Sequence, residues 1–212
     1  MSPALLETGP GDAAATLLLA HGAGAPMDSD WMDGMAAALA GAGVRTLRFE
    51  FAYMAARRTG APARPPPRAE ALAGEYRAAV AAARSAGPLL IGGKSMGGRV
   101  ASLVADELFA AGRIAGLVCL GYPFHPPGRP ERLRTAHLAT LHAPALICQG
   151  ERDPFGTRAD VAGYRLSPAV TPVFLPDGDH DLRPRRASGH THAGNLAAAA
   201  RHVAAFAAAQ RA

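Results

Sequence analysis

The sequence predicts an α/β fold: a mostly parallel sheet of about six strands with helices on both faces and no large cap domain. Six short apolar runs of β-type residues alternate with longer stretches of helical character, an order typical of parallel sheets covered on both faces. The 212 residues, 49% of them hydrophobic, can bury one substantial core but are few for two domains. Residues 1–212 are therefore expected to form a single domain.

The order of these elements also predicts where function should lie. We predict strands at residues 16–20, 44–51, 89–92, 114–120, 145–149 and 171–175. We predict helices at residues 30–40, 69–85, 96–111, 131–141, 157–164 and 195–210, where alanine favours helix formation. Ligands bind such sheets at the carboxyl ends of the strands, so functional residues are expected just after them.

Two proline-rich segments interrupt this pattern. Residues 57–68 and 121–130 each contain four prolines, which excludes a regular helix or a central strand. The first is expected to be a long surface loop near the mouth of the site, because it comes after the strand predicted at residues 44–51. Neither segment has the length of a folded lid, so the site is expected to be fairly open.

The composition argues against several classes of partner and location. The net charge is +5, but the arginines are spread along the chain without an aromatic-interleaved basic stripe, so no nucleic-acid partner is expected. The apolar runs are far shorter than the roughly 20 residues of a membrane span, and the first twelve residues lack the pattern of a secretory signal. A cytoplasmic location is therefore predicted, with Cys119 and Cys148 as reduced packing residues. Lys94 is the only lysine among many arginines, a bias typical of GC-rich bacterial genomes.

The strongest motif is Gly93-Lys94-Ser95-Met96-Gly97, which lies between a predicted strand and a predicted helix. A serine between two glycines can occupy a tight strand-to-helix turn that holds its hydroxyl out at the edge of the sheet. The alternative interpretation is a glycine-rich turn with a serine that caps the helix. The context favours Ser95 as a nucleophile.

A serine nucleophile needs a base and a group that orients the base. Where a strand-to-helix turn of this kind carries the nucleophile, the acid and then the histidine follow in the chain. Asp153 follows the strand predicted at 145–149, and His180 follows the last predicted strand. Glu151 is the rival for the acid, and His125, His190 and His192 compete with His180, although none follows the final strand so directly.

A small-residue loop after the first predicted strand is the candidate oxyanion hole. In Leu19-Ala20-His21-Gly22-Ala23-Gly24-Ala25, the backbone N–H of Ala23 is the first choice of donor and that of Gly24 the second. The N–H of Met96 would supply the other donor. His21 is interpreted as a residue that fixes this loop, with a second base as the alternative.

No metal or cofactor is expected. Asp177, Asp179 and Asp181 resemble the start of a calcium loop, but Leu182 and Ser188 stand where that loop requires glycine and glutamate.

Five stretches together resemble one branch of the α/β-hydrolases: HGAGAPMDSDWM, RFEFAYMAARRTG, GGKSMGGRVAS, GYPFHPPGRPERLRTAHL and QGERDPFG. The branch contains bacterial dienelactone-hydrolase-like proteins, testis-expressed proteins and chromatin acetyltransferase-complex subunits. The resemblance implies the α/β-hydrolase fold, Ser95 as nucleophile, and Asp153 and His180 as its partners; it implies no substrate. Ala52 stands where the resemblance suggests proline, which is expected to loosen the following loop.

Two functional hypotheses follow. The first is a serine hydrolase that cleaves a small or exposed ester or thioester, and the second is a non-catalytic interaction module on a hydrolase-like fold. Gly24, Lys94 and His125 are possible pocket residues. Lys94 is expected to pair with an acid such as Glu50, or alternatively to favour an anionic ligand. The oligomeric state is not predicted.

Overall fold

Seven strands form one sheet in the computed structural model, which describes residues 3–62 and 64–210. The spatial order is β1-β3-β2-β4-β5-β6-β7, and every neighbouring pair is parallel except β1 with β3. The strands are β1 (Leu6–Thr8), β2 (Ala15–Ala20), β3 (Val44–Phe49), β4 (Leu89–Lys94), β5 (Gly116–Leu120), β6 (Ala145–Gly150) and β7 (Val170–Leu175). The predicted α/β-hydrolase architecture is confirmed.

Helices cover both faces of this sheet. They are α1 (Asp30–Gly41), α2 (Ala52–Arg58), α3 (Ala73–Ala82), α4 (Met96–Ala110), α5 (Arg158–Ala162) and α6 (His192–Ala209). Single 3₁₀ turns lie at Ala69–Leu72, Leu138–Thr140 and Arg186–Ser188. None of the helices in the described ranges is long and apolar enough to cross a membrane.

The core has two layers because alternate residues of each strand point to opposite faces. Leu18 and Ile91 pack with the α3 and α4 side of the sheet, and Leu17 and Leu19 pack with the α1 and α6 side. Both faces are buried, so the central strands are continuous apolar runs rather than alternating ones. Cys119 on β5 and Cys148 on β6 are free and fully buried, in agreement with their predicted packing role.

The prediction missed the edge strand β1. It is three residues long and only half-buried, and it pairs antiparallel with β3 through Leu6 opposite Arg48. A strand this short carries no usable periodicity, so the sequence alone gave no signal for it.

The segment after β3 is a helix, where the prediction placed the end of a strand and then a loop. The strand ends at Phe49, and α2 begins at Ala52, whose N–H donates to Glu75 Oε2 at 2.6 Å. Ala52 therefore begins a helix rather than a loop, and the expected loosening has no support in these contacts. A proline there would lack the donated hydrogen.

The helix predicted at residues 131–141 is also wrong. Only Leu138–Thr140 form a single 3₁₀ turn. The backbone of Arg134 instead pairs with the preceding segment: its N–H donates to the carbonyl of Phe124 at 2.7 Å, and its carbonyl accepts from the Tyr122 hydroxyl at 3.0 Å. These contacts replace the local bonds that a helix needs.

The remaining differences lie at helix boundaries. The predicted helix 69–85 is a 3₁₀ turn followed by α3, and the predicted helix 157–164 shortens to α5. Thr157 caps α5, since its hydroxyl accepts from the N–H of Asp160 and the Asp160 carboxylate accepts from the N–H of Thr157. The terminal helix α6 begins three residues earlier than predicted, after the cap residue Thr191.

Candidate active site

Ser95 lies in a tight turn between β4 and α4. Its backbone has φ 51° and ψ −115°, a conformation that a residue with a side chain rarely adopts. The flanking glycines make the turn possible: a Cβ on Gly93 would lie 2.4 Å from the carbonyl carbon of Gly97, and one on Gly97 would lie 2.5 Å from the carbonyl oxygen of His21. The glycines of the motif are thus required by close backbone packing, and the turn presents the serine hydroxyl beyond the strand end.

The structure brings Ser95, His180 and Asp153 into one chain of hydrogen bonds. Ser95 Oγ lies 2.8 Å from His180 Nε2, and His180 Nδ1 lies 2.8 Å from Asp153 Oδ2. A carboxylate at Nδ1 holds the ring proton there, which leaves Nε2 free to accept the serine O–H. Asp153 is fully buried, whereas the His180 side chain is 21% exposed. The imidazole can therefore meet a substrate while its carboxylate partner is sheltered from water.

Glu151, the rival acid, is engaged elsewhere. Its carboxylate accepts from the N–H of Asp177 at 2.8 Å and pairs with Arg158 at 2.9 Å. The arrangement thus separates two acids that lie only two residues apart: Asp153 faces the histidine, and Glu151 ties neighbouring loops together.

Within the described residues, no competing histidine is hydrogen-bonded to Ser95 or Asp153. His192 Nε2 lies 2.9 Å from the carbonyl oxygen of Asp181, and His190 is exposed after the 3₁₀ turn at Arg186–Ser188. His125 is buried, with Nδ1 2.9 Å from the carbonyl oxygen of Pro126 and Nε2 3.9 Å from Asp160. His125 is therefore buried within the loop after β5, and its possible role in a pocket has no support from these contacts.

Sequence reasoning missed Gln149, which orients the buried carboxylate. Its Nε2 donates to Asp153 Oδ2 at 2.9 Å and to the carbonyl of Gly156 at 3.1 Å. The backbone N–H of Tyr122 donates to the amide oxygen, and the Tyr122 carbonyl accepts from Nε2. The other carboxylate oxygen, Oδ1, accepts the N–H of Phe155 at 2.8 Å. A glutamine inside the fully buried strand β6 was the available signal, because a buried amide must find partners.

Two ring side chains, those of His21 and Tyr53, stabilise the loop after β2. His21 is fully buried: Nδ1 donates to the carbonyl of Gly22 at 2.6 Å, and Nε2 accepts the N–H of Phe51 at 3.2 Å. Burial lowers the pKa of His21, which keeps it neutral in this role. Burial raises the pKa of Tyr53 to about 12, so its hydroxyl stays protonated and donates to the carbonyl of Ala23 at 2.9 Å. These contacts match the predicted structural role of His21.

Both predicted oxyanion donors lie beside Ser95. Ala23 and Met96 line the same cleft as the serine, and the N–H of Met96, as the first residue of α4, has no acceptor within its own helix. Gly24 lies one residue further along the loop and lines the neighbouring cleft.

The sequence of this chain matches the family model of the α/β hydrolase domain across residues 13–208. The chain belongs to that family.

Solved structures with the same fold include hydrolases of three bacteria. A serine hydrolase homologue from Coxiella burnetii has a TM-score of 0.67 at 20% identity, over 94% of this chain and 88% of that one. Dienelactone hydrolase from Anabaena variabilis has a TM-score of 0.67 at 20% identity, over 97% of each chain. A serine hydrolase without a lid from Xanthomonas campestris has a TM-score of 0.62 at 20% identity, over 95% and 94%.

In this α/β hydrolase, Ser95 lies at the junction of two clefts. The first, called here the arginine cleft, has a volume of about 700 Å³ and is lined by Arg68, Arg99, Arg132, Arg134, Glu70 and the prolines at 66, 67 and 123. The second, called here the tryptophan cleft, has a volume of about 560 Å³ and is lined by Asp30, Trp31, Lys94, Asp181 and Arg183. The end of the proline-rich loop 57–68 thus forms one wall of the site, although the loop follows α2 rather than a strand.

Lys94 is buried under the tryptophan cleft. Its Nζ donates to the carbonyl of His180 at 2.6 Å, pairs with Asp181 at 3.1 Å, and lies 5.3 Å from the centre of the Trp31 ring. Burial lowers the pKa of Lys94, and the charge of Asp181 opposes that effect. Lys94 pairs with an acid as predicted, but the acid is Asp181 and not Glu50. Glu50 instead binds Arg58 at 2.7 Å.

Proposed function

We propose that this α/β hydrolase is a cofactor-independent serine hydrolase that cleaves an ester or thioester through an acyl-enzyme. The observation that carries the proposal is the unbroken contact from hydroxyl to imidazole to buried carboxylate, with 2.8 Å at each step. Serine is a weak nucleophile by itself, and this arrangement is the known way to activate it.

The first half of the reaction forms the acyl-enzyme. Ser95 Oγ attacks the carbonyl carbon of the substrate while His180 Nε2 takes the hydroxyl proton, and Asp153 stabilises the imidazolium that results. The negative charge on the tetrahedral oxygen is held by the N–H groups of Ala23 and Met96. Collapse breaks the bond to the alkoxide or thiolate leaving group, which receives the proton from His180.

The second half releases the acid. His180 takes a proton from water, the resulting hydroxide attacks the acyl carbon, and the bond to Ser95 Oγ breaks as the histidine returns the proton to that oxygen. One water is consumed for each ester cleaved. Losing one oxyanion donor would typically cost about 3 kcal/mol of transition-state stabilisation.

The finer placement of the chain is also a proposal. We infer that it belongs to the compact branch that includes dienelactone-hydrolase-like proteins, because the stretches that carry this resemblance contain most of the residues that line the two clefts. Est1E from Butyrivibrio proteoclasticus, a solved structure with the same fold, binds ferulic acid, a carboxylic acid of the kind that ester cleavage releases. The cytoplasmic location and the small-molecule nature of the substrate stay predictions.

Covalent labelling with an alkyl fluorophosphonate tests the proposal directly. We expect one adduct per chain, located by peptide mass spectrometry on Ser95 and absent in Ser95→Ala. Ser102→Ala is the matched control, because Ser102 lies on α4 about two helical turns after Ser95. Its hydroxyl is hydrogen-bonded to the carbonyl of Arg99 and to His137. That control should label like the wild type.

The same experiment addresses the interaction-module alternative. A well-folded protein that shows no adduct at Ser95 and no turnover of p-nitrophenyl or thioester substrates would contradict the hydrolase proposal. The ready-made proton path favours the enzyme, since a module that only binds partners has no need for it.

A further inference from the structure

The two clefts beside Ser95 differ sharply in charge. In the tryptophan cleft two carboxylates, Asp30 and Asp181, face two cations, Lys94 and Arg183. The ammonium of Lys94 is already paired with Asp181 at 3.1 Å. This cleft is therefore electrically balanced by its own side chains.

The arginine cleft is not balanced. Four arginines line it against the single carboxylate of Glu70, which pairs with Arg99 at 2.6 Å. Within residues 3–62 and 64–210, Arg68, Arg132 and Arg134 have no carboxylate within ion-pair distance. An excess of guanidinium groups around a concave surface concentrates a positive field there and attracts anions.

Two of these arginines are built into the wall rather than exposed on the surface. Arg99 is on the first turn of α4, which begins directly after Ser95, and its Nε is buried without a hydrogen-bond partner. Arg134 is half-buried, and its backbone is fixed at both ends by Phe124 and Tyr122. Burial, with the nearby charge of Arg99, lowers the pKa of Arg134. A bound anion would offset the repulsion between the positive charges of Arg99 and Arg134.

We propose that the substrate carries a carboxylate or phosphate group on the part that occupies the arginine cleft, and that Arg134 and Arg99 bind this group. A planar guanidinium donates two parallel hydrogen bonds to either anion. The inference rests on the proposed serine hydrolase function and specifies its substrate class: anionic esters or thioesters. The neutral part of the substrate lies toward the tryptophan cleft.

Paired covalent probes test this without knowledge of the natural substrate. Two alkyl fluorophosphonates of equal chain length, one ending in a methyl group and one in a carboxylate, are compared by their second-order rate of adduct formation at Ser95. We expect the carboxylate probe to react roughly 10- to 100-fold faster, the value of one or two charged hydrogen bonds. Arg134→Gln and Arg99→Gln should each reduce this preference, Arg134→Gln by about tenfold, and raised salt should weaken it.

Arg113→Gln is the matched control. It removes the same charge from an exposed position just before β5, at the opposite end of the sheet, and should leave the preference unchanged. Protection of Ser95 from the neutral probe by inorganic phosphate and by glutarate then distinguishes the two anions, since the better protector identifies the preferred group.

The outcomes separate this inference from the proposed function. Equal reaction of the two probes, or a carboxylate preference that survives in both arginine variants, would overturn the anionic-substrate inference while the nucleophile stands. Protection by neither anion would also overturn it. No adduct with either probe would instead remove the hydrolase proposal itself.

Discussion

Replacing Gln149 by leucine should damage both stability and reactivity. The two side chains have similar volumes, so little cavity forms, but leucine loses the contact of the amide oxygen with Tyr122 N–H and the contacts that the two amide hydrogens share among Tyr122 C=O, Gly156 C=O and Asp153 Oδ2. Each buried polar group left without a partner costs about 1–3 kcal/mol, and relaxation keeps the total below the sum. We expect the free energy of unfolding to fall by about 3–5 kcal/mol.

Reactivity should fall for a separate reason. Asp153 Oδ2 accepts both Gln149 and His180, so the amide fixes the position of the oxygen on which the imidazole depends. Under conditions where the variant is folded, its rate of fluorophosphonate labelling at Ser95 should be about tenfold lower than that of the wild type.

Urea unfolding followed by circular dichroism measures the first effect, and labelling kinetics measure the second. Gln210→Leu is the control, because within residues 3–62 and 64–210 the Gln210 side chain makes one hydrogen bond, of 3.3 Å, at the end of α6; it should change stability by less than about 1 kcal/mol. A Gln149→Leu protein within 1 kcal/mol of the wild type and with an unchanged labelling rate would refute the role assigned to this amide.

Three further predictions concern the surroundings of the serine. Lys94→Met should slow labelling about tenfold, equally for neutral and anionic probes, because the carbonyl of His180 loses the hydrogen bond from Lys94. A selective loss of rate for the anionic probe would mean that Lys94 binds substrate. Burial lowers the pKa of His21 below 6.5, so the unfolded state binds a proton before the folded state does as the pH falls. The free energy of unfolding should therefore decrease below about pH 6.5, by at most about 1.4 kcal/mol per pH unit from this residue. Urea titrations at pH 7.5 and 5.5 should show a smaller difference in this free energy for His21→Gln than for the wild type. Gly97→Ala should lower stability by about 3 kcal/mol or more, since its Cβ would lie 2.5 Å from a backbone oxygen, whereas Gly41→Ala, with open space around it, should not; equal melting curves would contradict this packing argument.

Much of the fold was predictable because it depends on local patterns. The apolar runs of β2, β5 and β6 are buried throughout, and the alanine-rich stretches between the strands favour helices. What failed was decided by distant contacts. Arg134 binds Phe124 and Tyr122 instead of its helical neighbours, and Ala52 begins a helix with support from Glu75, 23 residues away.

The candidate site divides in the same way. Ser95, Asp153 and His180 were found because each follows a strand, and parallel strand ends meet at one edge of the sheet. Gln149 was missed because its role depends on a side-chain contact that no spacing rule describes. The arginine cleft was missed because its members come from three separate segments, and only the fold brings Arg68, Arg99 and Arg134 around one serine.

The proposed mechanism depends on Asp153, which activates Ser95 through His180. The most direct test is the value of kcat/KM, or of the labelling rate at Ser95, in Asp153→Asn compared with Glu151→Gln, which removes the charge of the neighbouring acid. We expect Asp153→Asn to lose on the order of 10⁴-fold, because the amide favours the wrong tautomer of the imidazole, and Glu151→Gln to stay within a few-fold of the wild type. Equal losses in the two variants, or full activity in Asp153→Asn, would contradict the account.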